Sequence, residues 1–268
     1  MLERRTLLDS EGIVVEDVAC HHPAGDGETT EPSWGHALVF VRRGSFVRRA
    51  DGASALLDPT VAFCRVPGQE QRYDHPNDGG DDCTTLALDA PIAASVWGGE
   101  LDLPTDLLPV APGVDLEHRR LLTAARRHAD ADTIYERALN LAAAALEQHD
   151  PRPVAARRPQ TESARRRLVD DTREALLTDP GRSLPELAHD LAVSPHHLSR
   201  VFHAYTGHTI SRHRLLLRAR VALERIAGGE RQLARLAAEL GFSDQSHLSR
   251  ALRSQTGHTP SALRELLA

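Results

Sequence analysis

The chain has 268 residues, of which 26% are charged and 41% are hydrophobic; this composition excludes a disordered or fibrous protein, and the length allows two domains. Residues 1–150 carry 13 Arg against 26 acidic residues, a balance of −13, whereas residues 151–268 carry 19 Arg against 12, a balance of +7. The formal net charge of −6 therefore hides a basic C-terminal half, as expected when a polyanion-binding module is joined to an acidic domain.

The sequence shows no signal for a membrane or for secretion. No apolar run reaches the roughly 20 residues of a membrane-spanning helix, and the N-terminus does not lead into the apolar segment of a secretion signal. We therefore expect a cytoplasmic protein with no membrane partner, in which cysteines are normally reduced thiols.

Short apolar runs broken by turn-forming residues occupy residues 12–89. The runs are 37–41, 44–47, 62–64 and 84–88, and Gly, Pro, Asp and Asn residues lie between them. Several short strands at this spacing predict a β-barrel or a β-sandwich.

Helical periodicity follows over residues 116–129 and 133–148, with Asp132 as the predicted N-cap of the second helix. The second helix carries an apolar face made of Ile134, Ala138, Leu141, Ala145 and Leu146. This helix pair either packs on the barrel or forms a dimerisation surface. Three prolines between residues 151 and 159 then predict a linker, because proline cannot continue a helix.

The region after the linker is predicted to be helical throughout and contains an imperfect internal repeat. Residues 187–194 match residues 236–243 at an offset of 49, and from Leu198 and Leu248 onward the two copies match at an offset of 50. Both copies close with the same tetrapeptide, Thr-Gly-His-Thr, at 206–209 and 256–259. Two copies are too few for a solenoid, so the repeat indicates a duplicated motif.

Each copy has the pattern of a helix-turn-helix unit. In the first copy Ser183 and Ser194 are the predicted N-caps of two short helices, with Pro185 in the first turn. In the second copy Gly241 is predicted to make the turn and Ser243 to cap the second helix.

The second helix of each unit leaves a polar face, as a recognition helix in the major groove requires. Arginine can bond guanine through two donors, Gln suits adenine, and Ser permits close approach to the bases. The predicted DNA-binding residues are His196, His197, Ser199, Arg200 and His203 in the first copy and Gln245, Ser246, His247, Ser249, Arg250 and Arg253 in the second.

A helix over residues 210–227, ended by two glycines, is predicted to join the two units. At about 1.5 Å per residue it spans about 27 Å, which compares with about 34 Å between successive turns of the major groove. Four arginines on it are predicted to contact phosphates: Arg212, Arg214, Arg218 and Arg220.

Residues 161–268 resemble the DNA-binding domain of the AraC/XylS family of regulators. The resemblance is carried by GFSDQSHLSR at 241–250 and TGHTP at 256–260. It implies two helix-turn-helix units joined by a long helix. It also implies that six residues occupy base-reading positions: His196, Ser199, Arg200, Ser246, Ser249 and Arg250. The first recognition helix departs from the family pattern in having His and Ser where longer side chains are common.

The N-terminal half resembles the cupin-like sensor domain of many such regulators. It lacks the His-x-His pair followed by Glu and a later His that holds the metal of enzymatic cupins, so we expect no enzyme and no required cofactor. An organic effector in the barrel would have aromatic residues as candidate lining: Trp34, Phe40, Phe46, Phe63 and Tyr73. Aromatic residues in such strands more often belong to a plain apolar core.

The cysteines of this half allow two interpretations. They are either small buried apolar residues or part of a metal or redox-sensing site. The candidate metal ligands are Cys20, His22, Cys64, His75 and Cys83, and no tight ligand spacing such as Cys-x-x-Cys supports them.

The fold class is therefore predicted as α+β, with a cupin-like β-barrel and a helical pair followed by seven helices. The predicted domains are a sensor and dimerisation domain at 1–149, a linker at 150–160 and a DNA-binding domain at 161–268. The predicted function is sequence-specific transcription regulation by a homodimer on double-stranded promoter DNA, with a small-molecule effector and RNA polymerase as candidate partners. The alternatives are a low-specificity architectural DNA-binding protein and a metal- or redox-responsive regulator.

Overall fold

The computed structural model describes residues 2–21, 29–32, 35–75, 79–97, 107–147 and 159–267. The chain divides into two compact units, Met1–Asp150 and Pro151–Ala268. Most of the predicted linker, residues 150–158, lies outside the described residues. A helix begins at Pro159, so the last two residues of that predicted linker are helical.

The first unit contains two antiparallel sheets. Its strands are β1 (Leu2–Ser10), β2 (Ile13–Cys20), β3 (Thr29–Pro32), β4 (His36–Arg43), β5 (Phe46–Ala50), β6 (Ala53–Leu57), β7 (Val61–Arg65), β8 (Glu70–Asp74), β9 (Asp81–Leu88) and β10 (Leu108–Pro109). The six-stranded sheet has the order β1-β2-β9-β4-β7-β10, and the four-stranded sheet has the order β3-β8-β5-β6. Both sheets line one interior, as the predicted cupin-like barrel requires.

The sequence prediction missed β1, which lies at the edge of the larger sheet. Most of its residues are exposed and four of the nine are charged, so it lacks an apolar run like those from which strands were predicted. It is held by its antiparallel pairing with β2 and by cross-strand ion pairs, Arg4 with Glu16 (3.3 Å) and Arg5 with Asp17 (3.0 Å). The predicted strand over residues 44–47 also begins later, at Phe46, because Gly44 lies in a turn with a φ of +75°.

The described residues of the first unit also form three helices: α1 (Ala90–Trp97), α2 (Pro112–Arg126) and α3 (Ala131–Glu147). The predicted N-cap of α3, Asp132, is wrong. The Asp130 carboxylate accepts the backbone N–H of Thr133 at 2.8 Å, which places the cap before Ala131.

The apolar face of α3 packs on the barrel. Ile134, Ala138, Leu141 and Ala145 are buried in one core with strand residues such as Leu38. The interpretation of the helix pair as packed on the barrel is therefore confirmed, and this apolar face is not free to form a dimer interface.

The second unit is helical over its described residues. Its seven helices are α4 (Pro159–Thr178), α5 (Leu184–Asp190), α6 (Pro195–Thr206), α7 (Ile210–Ala227), α8 (Leu233–Glu239), α9 (Gln245–Thr256) and α10 (Pro260–Leu267). The predicted α+β class, with seven helices in this unit and a joining helix over residues 210–227, is confirmed. Among the described helices, none combines the length and the apolar character needed to cross a membrane.

Candidate nucleic-acid interface

The first helix-turn-helix consists of α5 and α6, and both predicted N-caps are confirmed. The Ser183 hydroxyl accepts the Glu186 backbone N–H at 3.3 Å, while the Ser183 N–H donates to the Glu186 carboxylate at 2.7 Å. This capping box begins α5. The Ser194 hydroxyl accepts the His197 backbone N–H at 3.2 Å and begins α6.

The second helix-turn-helix consists of α8 and α9, and its cap differs from the prediction. Asp244, not Ser243, is the N-cap of α9, because its carboxylate accepts the His247 backbone N–H at 2.7 Å. This hydrogen bond holds the pKa of Asp244 below its usual value. The residue inserted between the two copies is therefore Ser243, and Ser194 corresponds to Asp244 at an offset of 50.

The turn of each unit contains a residue in the left-handed region. Gly241 has a φ of +70°, which confirms its predicted role in the turn. Ala192 occupies the corresponding position of the first copy with a φ of +54°. An alanine is strained there, because its Cβ crowds the backbone in this conformation.

The recognition helices α6 and α9 present the same face outward. Their inward residues are Leu198, Val201 and Phe202 in α6 and Leu248, Ala251 and Leu252 in α9. Of the predicted DNA-binding residues, those that are exposed are His196, Arg200, His203, Gln245, Ser246, Arg250 and Arg253. Those that are half-buried are His197, Ser199, His247 and Ser249.

His247 supports the turn as well as facing outward. Its ring meets Phe242 edge-on, with ring centroids 5.2 Å apart at 87°, and its Nδ1 lies 3.2 Å from the Ser243 hydroxyl. The side chain is therefore held in place, which leaves less freedom to reach a base than Arg250 has.

Two of the four α7 arginines that were predicted to contact phosphates are engaged within the unit instead. Arg220 is buried, and Arg214 donates to the carbonyl of Arg182. Burial, followed by the charge of Arg218, lowers the pKa of Arg214. The prediction of phosphate contacts is therefore wrong for Arg214 and Arg220, whose side chains pack or bond within the unit instead.

Two of these arginines connect α7 to its neighbours, which the sequence did not indicate. Arg218 donates to the Gly241 carbonyl at 2.9 Å and to the Pro180 carbonyl at 3.4 Å. The two terminal nitrogens of Arg212 lie 3.0 and 3.2 Å from the side-chain amide oxygen of Gln255 in α9, in the amide orientation that satisfies both groups. These bonds fix the second helix-turn-helix unit, and the segment that precedes the first one, to the joining helix.

The first unit encloses a cavity of about 200 Å³. Three of the predicted aromatic residues line it, namely Phe46, Phe63 and Tyr73. Phe40 does not, because it lies in the core beside His118 with ring centroids 5.1 Å apart. Trp34 lies outside the described residues.

The candidate metal ligands separate into two groups. Cys20, His75 and Cys83 line the cavity, whereas Cys64 lies in the core and His22 lies outside the described residues. Burial raises the pKa of the Cys64 thiol to about 12, and burial together with the Asp81 carboxylate raises the pKa of the Cys83 thiol well above its usual value. Neither thiol is suited to redox sensing, because the thiolate is the reactive form.

Residues 187–266, which run from α5 to α10, match the family model of a helix-turn-helix domain. The chain therefore carries a helix-turn-helix domain over these residues, which supports a DNA-binding transcription regulator. No curated protein matches the chain.

Several solved structures are similar to the chain or to one of its parts. ToxT from Vibrio cholerae O395 is 10% identical over 97% of this chain and 99% of its own, with a TM-score of 0.38. An AraC-type transcriptional regulator from Chromobacterium violaceum is 22% identical over 40% of this chain and 96% of its own, with a TM-score of 0.37. A cupin superfamily protein from Desulfitobacterium hafniense is 14% identical over 33% of this chain and 78% of its own, with a TM-score of 0.29.

Proposed function

We propose that this protein is a non-enzymatic transcription regulator that reads a specific promoter site in two adjacent major grooves, in response to a signal sensed by its first unit. The observation that carries the proposal is the duplicated outward face of α6 and α9. In each helix a half-buried Ser is followed by an exposed Arg, Ser199-Arg200 and Ser249-Arg250. A polar helix face that contacts only solvent does not require the same pair of residues at the same position of both copies.

The joining helix supports simultaneous reading of two grooves. A helix of 18 residues such as α7 spans about 27 Å, a distance close to one turn of the double helix. The bonds of Arg212 to Gln255 and of Arg218 to Gly241 hold the second unit against it, and the bond of Arg218 to Pro180 holds the segment just before the first unit. Two recognition helices fixed in this way suit two contact blocks on one side of the duplex.

The sensing role is supported by the cavity of the first unit. Its lining combines the aromatic residues Phe46, Phe63 and Tyr73 with the charged residues Arg4 and Arg65. A small pocket of mixed apolar and charged lining is typical of a ligand site. Like other regulators of this kind, the protein would act in the cytoplasm as a homodimer on repeated half-sites, with RNA polymerase as a further partner.

The test is a selection of bound fragments from the organism's own genomic DNA with the full-length protein. We expect enrichment of a motif with two contact blocks about one helical turn apart, and binding to it at least about 10³-fold tighter than to random DNA at the same salt concentration. Equal affinity for motif and random DNA, lost uniformly as salt rises, would instead identify an architectural DNA-binding protein.

A further inference from the structure

Three buried side chains of different chemistry meet at one end of the barrel. One ligand atom from each of Cys20, His75 and Asp81, namely the sulfur, a ring nitrogen and a carboxylate oxygen, lie within 4.8 Å of one another. All three residues are buried and line the cavity of about 200 Å³. Cys83 adds a second sulfur beside them, since its Sγ lies 3.1 Å from the Asp81 carboxylate.

The fold places these residues together through strand register. Cys20 ends β2 and pairs directly with Asp81, the first residue of β9, so both side chains face the same interior. His75 follows β8 of the opposite sheet. The cluster therefore connects the two sheets, and residues 55 and 61 positions apart along the chain become neighbours.

Gly80 makes this close approach possible. Its φ is +64°, and a Cβ at this position would lie 1.7 Å from the carbonyl oxygen of Cys20. The Cβ of any other residue would force Asp81 away from Cys20. Glycine at position 80 therefore permits the close contact between these two positions.

The three donors form a set that suits a metal ion. A thiolate, an imidazole and a carboxylate are the ligand types of Zn²⁺, whose bonds of about 2.0–2.3 Å put tetrahedral donors about 3.2–3.8 Å apart. The donors are already in contact: His75 Nε2 lies 2.6 Å from Asp81 Oδ1, and the Cys83 thiol donates to Asp81 Oδ2.

We propose that Cys20, His75 and Asp81 bind a thiophilic divalent metal ion, for which Zn²⁺ is the best match, inside the barrel. The cavity leaves room for a fourth ligand, either the adjacent Cys83 or a small molecule. The site differs from the metal site of enzymatic cupins, whose His-x-His pattern the chain lacks. It does not rest on the proposed DNA-binding function, because metal binding is measured on the protein without DNA.

The test is titration of the full-length, untagged, chelator-treated and reduced protein with Co²⁺, followed by displacement with Zn²⁺. We expect one tightly bound ion per chain, with the intense absorption of a sulfur–Co²⁺ bond, and an increase in the thermal stability of the first unit on addition of Zn²⁺. A folded wild-type protein that shows no sulfur–Co²⁺ absorption would overturn the proposal.

Matched cysteine variants locate the site. Cys20→Ser should lower the sulfur–Co²⁺ absorption, and abolish it if Cys83 is not the fourth ligand, and it should weaken binding by more than the about 10–100-fold typical of residues outside the ligand set. Cys64→Ser, which alters an equally buried thiol away from the cavity, should retain both. Unchanged absorption in Cys20→Ser would exclude Cys20 as a ligand.

A third variant distinguishes the loss of a metal ligand from a folding defect in Cys20→Ser. His75→Gln keeps a hydrogen-bond donor near Asp81 and should also weaken Co²⁺ binding more than 100-fold. Many of the 15 histidines of the chain lie on the surface of the second unit, such as His196 and His203, and they are unchanged in every variant. Binding that is equal in all variants would therefore belong to these surface histidines and would contradict the proposal.

Discussion

At the scale of single residues, His118 is a titratable group in the core of the first unit. It is buried on α2, its Nε2 lies 2.8 Å from the Thr84 hydroxyl, and its ring packs against Phe40. Burial lowers its pKa to about 3. The side chain is therefore neutral in the folded protein at all ordinary pH values.

This histidine predicts a pH dependence of stability. The unfolded chain protonates His118 below about pH 6.5, whereas the folded chain does so only near pH 3. Because the unfolded state binds more protons in this window, the free energy of unfolding should fall as pH falls from about 6.5 towards 3, by up to about 1.4 kcal/mol per pH unit.

The measurement is urea unfolding between pH 4.5 and 7, followed by tryptophan fluorescence. Trp34 and Trp97, the two tryptophans of the chain, belong to residues 1–150, so this signal reports on the first unit. His118→Gln should flatten the pH slope, whereas His128→Gln, which alters an exposed histidine of the same unit, should leave it unchanged. Equal slopes in wild type and His118→Gln would contradict the prediction.

Arg250 carries the second prediction at this scale. It is exposed on the outward face of α9, and an arginine there can bond O6 and N7 of one guanine. Arg250→Ala should cost about 1–3 kcal/mol on the selected motif and relax the preference at one base pair. Arg235→Ala, which removes an arginine paired with Glu239 on α8, is the control and should change neither. Uniform weakening on all DNA sequences would make Arg250 a phosphate contact.

At the scale of elements, the turns of the two helix-turn-helix units have different residues at the same left-handed position. Both need a left-handed residue after the first helix, and only the second copy has glycine there. Ala192→Gly should therefore relieve strain and stabilise the second unit by up to about 1 kcal/mol, after the entropic cost of glycine. Gly241→Ala should destabilise it, because the added Cβ would lie 3.3 Å from the Arg218 guanidinium.

Urea unfolding compares the stability of these opposite substitutions. The unfolding of the second unit is followed by its helical circular dichroism signal, because this unit contains no tryptophan. Wild type, Ala192→Gly and Gly241→Ala differ by one methyl group at equivalent positions, so each variant is the control of the other. Destabilisation by Ala192→Gly would show that the alanine contributes packing that outweighs its backbone strain.

At the scale of the whole molecule, the second unit requires a fixed spacing between the two contact blocks on DNA if both recognition helices bind together. Inserting about 5 bp between the two contact blocks turns one block to the opposite side of the duplex. The rigid α7 cannot follow, so affinity should fall to that of a single block. An insertion that leaves affinity unchanged would show that only one helix reads DNA.

Gel-shift titration with the full-length protein at constant salt measures this effect. A scrambled second block in a site of unchanged length is the reference for binding to one block. An insertion of about 10 bp returns the second block to the original side of the duplex but places it beyond the span of the joining helix. This insertion therefore tests the effect of distance separately from the effect of orientation.

The sequence by itself determined the helical unit in some detail. Its signals are local: the repeated Thr-Gly-His-Thr, the caps Ser183 and Ser194, and the glycines after residue 227 act within one or two turns. The bounds of α7 follow from such signals. The barrel was predicted only as a class, since edge strands such as β1 are stabilised by pairing rather than by an apolar run.

Tertiary structure decided what depends on contacts between distant residues. The sequence could not show that Arg218 turns towards Pro180 and Gly241, since an arginine on a helix is by default a solvated charge. It also left Cys20 and His75 as unrelated candidates and did not suggest Asp81, because the pairing of β2 with β9 joins Cys20 to Asp81 and only the packing of the second sheet adds His75. Local patterns specify caps, turns and helix faces, whereas a site made from three strands exists only once the sheets have closed.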